Sequence, residues 1–78
     1  MIGVYMTLPD ERTRSVLRTR NFLLRLLSPS GGCKRIPRPV REEARRLLRH
    51  YPGVIDLSIA GERAPTVFDS EEAWRLAE

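Results

Sequence analysis

The chain is poor in the groups that small proteins use for chemistry or for cross-links: one cysteine, one histidine and one lysine in 78 residues. A lone thiol, Cys33, excludes an internal disulfide framework and a cysteine-based zinc cluster within one chain, and reads as a reduced loop thiol. His50, the only imidazole, is separated from Cys33 by a loop and a helix, so a Cys–His dyad needs the loop to fold back. No spacing of Asp, Glu and His proposes a metal site, and "SGGC" lacks the strand-to-helix setting of a phosphate loop. No cofactor is expected. No stretch approaches the ~20 apolar residues of a membrane span. The opening "MIGVYMT" has no basic region leading into an apolar run, so a cytoplasmic protein is expected. A chain this short also has little length left to enclose a water-free pocket, which points away from an enzyme.

Arginine is what the sequence has in excess. Thirteen of the 14 basic residues are Arg, and the net charge is +4. The charge is unevenly spread: residues 1–53 carry 12 basic and 4 acidic side chains, residues 54–78 carry 2 and 6. This reads either as a basic binding body with an acidic tail or as two parts that attract each other. The Arg excess itself has two explanations. One is a GC-rich genome, whose codons favour Arg over Lys; the other is bidentate recognition of phosphate or carboxylate.

Size and composition give one domain over residues 1–78, with residues 1–6 expected to be flexible and 69–78 forming a terminal helix extension. The fold class expected is all-α: two main antiparallel helices at about 8–27 and 39–51, a short third helix or turn, and a C-terminal helix at about 70–77. In the first helix Thr7 stands at the cap position and at capping-box spacing from Asp10, with Pro9, Asp10 and Glu11 in the first turn. "SPSGG" supplies the stop. At ~100° per residue, Val16, Leu17, Leu23, Leu24 and Leu27 share an apolar stripe, widened by Phe22 and Leu26. Arg14, Arg18, Asn21 and Arg25 form a ribbon on another face. Arg20 projects into the apolar stripe, where it must snorkel, pair with an acid such as a tail glutamate, or meet a partner molecule.

Residues 28–38 read as a loop whose Lys34, Arg35 and Arg38 either lie in solvent or grip an anion. In the second helix Pro39 suits the first position, with Glu42 and Glu43 in the first turns. Val40, Ala44, Leu47, Leu48 and Tyr51 form the core-facing stripe. Glu42–Arg46 is a favourably oriented i,i+4 pair, and Arg49 and His50 complement the helix dipole. Arg41, Arg45 and Arg49 form a second basic set. "VIDLSIAGERAPTVF" has two readings: a hairpin turned at Gly61 and weakened by Pro65, or, preferred, a short helix capped by Asp56 followed by an extended "APTVF". Trp74 is expected to anchor the terminal helix to the body, with Phe68 and Leu76.

Three segments, "MTLPDERTRSVLRTRNFLLRLLSP", "RIPRPVREEARRLLRHYP" and "APTVF", resemble a family of short, uncharacterised proteobacterial proteins encoded near plasmids, prophages and other mobile elements. The residues that carry the resemblance are P-D-E-R-T-R at Pro9 to Arg14, Phe22 and Leu23, and the run Val40, Arg41, Ala44, Leu47, Leu48, Arg49, His50, Tyr51 and Pro52. The segment "DSEEAWRLAE" extends beyond the usual pattern. The resemblance implies a compact helical fold and a mobile-element setting, hence a small regulator or an inhibitor of host machinery such as a defence system.

The expectation that follows is a non-enzymatic binding protein. Its apolar stripes meet in a core, and Arg14, Arg18 and Arg25, with Arg41, Arg45 and Arg49, dock an acidic protein surface. The alternative is an accessory protein that contacts nucleic-acid phosphates non-specifically. Aromatics are not interleaved with the arginines, which weakens a single-strand reading, and the long connection argues against a helix-turn-helix. Two helices and a short tail also leave apolar surface for a homodimer to cover.

Overall fold

A computed structural model describes residues 7–28 and 35–77, and among them the chain is all-α, with no strand. The four helices are α1 (Pro9–Leu27), α2 (Arg38–Leu48), α3 (Val54–Arg63) and α4 (Ser70–Arg75). The expectations for residues 1–6, Cys33 and Lys34 fall outside the described residues.

The start of α1 is built by the run from Pro9 to Arg14, and each member has a task. Pro9 takes the first helical position, where its missing N–H is no loss. The residue before it, Leu8 rather than Thr7, is the N-cap. Leucine has no capping oxygen, so the Glu11 carboxylate reaches back and accepts from the Leu8 N–H at 2.9 Å. Arg12 ties the helix start to the far end of the chain: its Nε donates to the Val67 carbonyl and its second terminal nitrogen to the Thr66 carbonyl, both at 2.8 Å. Its remaining nitrogen donates to the Thr7 carbonyl at 2.7 Å, which is the job Thr7 has in place of capping. Thr13 is fully buried; its hydroxyl donates to the Pro9 carbonyl and accepts from the Asp69 N–H, each at 2.9 Å.

The larger buried cluster lies between α1, α3 and α4, and the two longest helices meet in a smaller buried contact of Leu26 with Ala44. Leu17, Leu57 and Ala73 are the centre of the larger cluster, with Val16, Val54, Phe68 and Leu76 packed around them. No residue of α2 belongs to it. Instead α2 packs on α1 alone, through buried Ala44 and Leu26, and makes no packing contact with α3 or α4. The stripe on α2 is therefore only partly used, and Val40 and Leu47 stay 43% and 50% exposed. The helix also stops at Leu48, three residues before the expected Tyr51. Pro52 pushes Tyr51 out of the α region, so the chain leaves through tight turns from Arg49 to Arg46 and from Tyr51 to Leu48.

Residues 54–63 form a full helix. Gly53 is the N-cap, and Asp56 sits three residues on, its carboxylate accepting from the Gly53 N–H at 3.0 Å. Gly61 turns no hairpin. It is buried in α3 where the start of α4 crosses, so close that an added Cβ would stand 2.4 Å from the Ser70 nitrogen. On α4 itself Ala73 is fully buried, with Glu72 beside it. Trp74 points about 150° round the helix from that inner face and is 52% exposed, so the expected anchor role passes to Ala73, Phe68 and Leu76. Asp69 caps α4 by accepting from the Glu71 and Glu72 N–H groups at 2.9 and 3.3 Å.

Candidate docking surface

The six arginines singled out from the sequence divide into one that holds the fold and five that do not. Arg14 is taken. It pairs with Asp10 one turn back at 3.0 Å and, through Nε, with Glu72 at 3.5 Å. The Glu72 side chain is nearly buried and is also engaged by Arg75. A carboxylate withdrawn from water in this way needs such partners, so Arg14 serves α4 and is removed from the candidate surface.

Arg18 and Arg25 are exposed on α1, and neither has an ion pair or hydrogen bond among the described residues. Between them, at i+4 from Arg18 and i−3 from Arg25, stands Phe22, 47% exposed. The Arg25 guanidinium lies 5.8 Å from its ring centroid, within cation–π range. So an aromatic ring is interleaved with the arginines after all. The i, i+4, i+7 spacing carried that signal, but Phe22 also fits the edge of the apolar stripe, and only packing decides between the two. A shallow depression of about 530 Å³ runs along this face, lined by Glu11, Arg14, Ser15, Arg18, Thr19 and Phe22.

The second set, Arg41, Arg45 and Arg49, lies on α2 and just past its end. Arg41 is half-buried, the other two are exposed, and none is paired among the described residues. At 100° per residue Arg45 and Arg49 project about 140–180° from Val40 round the helix, so this set looks away from the side on which Val40 and Leu47 lie. The Phe22 ribbon lies on α1 and this set on α2 and just past its end. The acids of α2 are spent locally: Glu42 on Arg38 at 3.1 Å, and Glu43 on Arg46 rather than the expected Glu42–Arg46 pair. The hydrogen bond from Arg46 to Glu43 and the charge beside it hold this guanidinium above its ordinary pKa.

Arg20 is half-buried and lies against Gly53, with Nε 3.9 Å from where a Cβ on that glycine would be. It does not pair with the tail, because Glu72 is already held by Arg14 and Arg75. A half-buried arginine of this kind can lay its stem along apolar surface and keep its head at the edge. Replacing it with leucine keeps that coverage and removes a charge without a partner among the described residues. Arg20→Leu is therefore expected to leave the urea midpoint unchanged or higher; a clear fall would show that the guanidinium is needed.

Among the described residues no group of His, Cys, Asp and Glu is placed to hold a metal ion, and no helix is long and apolar enough to cross a membrane. His50 is exposed. No protein-family model, curated protein or solved structure matches the chain.

Proposed function

We propose that this chain is a small non-enzymatic binding protein that docks an acidic surface of another protein through the Arg18–Phe22–Arg25 ribbon. The observation that carries the reading is the ribbon itself: two guanidiniums without acid partners among the described residues flank a half-exposed aromatic ring. Arginine and aromatic side chains are the residue types that most often anchor protein interfaces, and bidentate Arg–carboxylate pairs give such contacts their geometry. Tracking duplex phosphates needs the guanidiniums but has no use for Phe22, whereas a single strand could stack a base on it, so the interleaved ring removes one objection to that rival reading. The resemblance to proteins of mobile elements favours a regulatory role, including inhibition of host machinery. A second reading, non-specific contact with nucleic-acid phosphates, is favoured by Arg41, Arg45 and Arg49, which share one side of α2 and are likewise unpaired among the described residues.

Affinity capture from a bacterial lysate, with and without nuclease, separates the two. A nuclease-resistant protein partner that is lost with Arg18→Glu/Arg25→Glu, and retained with Arg45→Glu/Arg49→Glu, is the expected result. A partner lost on nuclease treatment, together with a DNA or RNA shift that weakens steeply with salt, transfers the function to nucleic acid, and loss of that shift with Arg45→Glu/Arg49→Glu assigns it to the α2 set.

A further inference from the structure

Helix α2 is attached to the rest of the chain on one side only. Among the described residues it packs on α1 and makes no packing contact with α3 or α4. Its one buried residue is Ala44, which meets buried Leu26 in the last turn of α1. Every hydrogen bond and ion pair of α2 among the described residues stays within it or its flanking turns, Arg38–Glu42 and Arg46–Glu43 included. The other elements are tied to one another. Arg12 holds the Thr66 and Val67 carbonyls, the Thr13 hydroxyl holds the Asp69 N–H, and Arg14 holds Glu72. With Leu17, these ties lie in the first half of α1, while the second half carries Leu26 and the contact with α2.

We infer that α2 and the last turn of α1 open together as one unit while α3, α4 and the first half of α1 stay folded. An isolated helix shorter than about 12–15 residues is marginal in water, and α2 has 11. Once off α1 it has no second element to keep it helical. What holds it down is one buried methyl group against Leu26, flanked by half-exposed Val40 and Leu47, and the chain entropy gained on release acts against that contact. The joint beyond α2 permits the opening. The chain runs through tight turns at Arg49 and Tyr51 and through Pro52, and Gly53 is already held by Asp56 as the cap of α3. The start of α3 therefore needs nothing from α2. Release also uncovers Leu26, and the turn that frays with it carries Arg25. Docked α2 is thus a splint that keeps Arg25 and Phe22 in register with Arg18. Its bearing on partner binding rests on the proposed role of the ribbon; the opening itself does not.

Native-state hydrogen exchange on the full chain, across low urea concentrations, tests this. Amides of α2 and of Arg25 to Leu27 are expected to share one level of protection, about tenfold or more below that of Leu17 and Leu57, with a weaker dependence on urea. Thr13→Val removes the hydroxyl link between α1 and Asp69 and supplies the decisive comparison. It is expected to speed exchange at Leu17 and Leu57 about 30-fold and to leave α2 unchanged, because the closed and the α2-open states lose the same bond. Should that variant not fold, Thr13→Ser makes the milder change, about fivefold at the same two amides. None of these readouts needs a partner, so failure of the ribbon's proposed function would leave them standing. Amides of α2 that exchange in step with Leu17 and Leu57, or that follow them in the variant, would overturn the inference, as would amides of Arg25 to Leu27 that keep a level of their own.

Discussion

Substituting Gly61 with alanine is expected to lower stability by about 2–3 kcal/mol, against the usual sign for such a change. In an exposed helix interior alanine is favoured over glycine by about 1 kcal/mol. Here the new methyl carbon would lie 2.4 Å from the Ser70 nitrogen and 2.9 Å from both the Asp69 carbonyl carbon and the Ser70 Cα. All three are backbone atoms, so no side chain can swing aside. Helices α3 and α4 must separate, and the gap opens over Leu57 and Ala73, the centre of the core. Total stability for a chain of this length is about 4–12 kcal/mol, so the loss is a large share of it. With a urea slope near 1 kcal/mol per molar, the midpoint falls by about 2–3 M. Gly53→Ala is the control, because its Cβ meets nothing nearer than the Arg20 Nε at 3.9 Å; there the change stays below about 1 kcal/mol. Equal effects at the two glycines would mean that the close approach does not limit the fold.

What the sequence reveals and what it hides divide along the range of the interactions. Pro9, the acids after it and the 3.6-residue periodicity are local signals, and they place α1 within a residue of its observed start. Asp56 and Asp69 likewise mark the starts of α3 and α4, the former by reaching back to Gly53 rather than by capping directly. The partner of each apolar stripe is a different matter. Two long amphipathic helices invite pairing with each other, and they do meet at Leu26 and Ala44, but the larger buried cluster falls where short α4 and glycine-bearing α3 meet α1. Nothing in a periodicity plot reports that Gly61 allows two backbones to touch. Trp74 misleads for a related reason: its size suggests an anchor, yet it stays 52% exposed while Ala73 is the fully buried residue of α4.

The candidate surface was half legible. Arg14, Arg18 and Arg25 are equivalent by helical spacing, and what separates them is Glu72, far off in sequence and adjacent in space. The charge-dense run from Pro9 to Arg14 proves to be spent on the fold: helix start, back-cap, clamp on residues 66 and 67, buried bridge and ion pair. A motif dense in charge is therefore not where this chain has chemistry to spare. The residues without such work, Arg18, Phe22 and Arg25, lie beyond it on α1.

Thr13→Val is expected to cost about 2 kcal/mol and so to lower the melting temperature by roughly 10 °C. Valine reproduces the shape of threonine, so packing changes little; the hydroxyl is what goes. That hydroxyl makes two bonds of unequal importance. The Pro9 carbonyl, to which it donates, lies at the helical i−4 position and faces the Thr13 N–H as well. The Asp69 N–H, which donates to it, belongs to the cap residue of α4 and is left without that acceptor in a part-buried position. Thr13→Ser keeps both bonds and drops only a methyl group, at a cost of about 1 kcal/mol. The order wild type, Ser, Val in thermal melts identifies the hydroxyl as the link between α1 and α4; Val matching wild type would show that shape alone holds them. The consequence reaches the charged surface. Asp69 caps the helix that carries Glu72, and Glu72 holds Arg14. Loosening α4 in the valine variant should therefore leave Arg14 held by Asp10 alone beside Arg18, and steepen the salt dependence of any binding through the α1 ribbon relative to the serine variant.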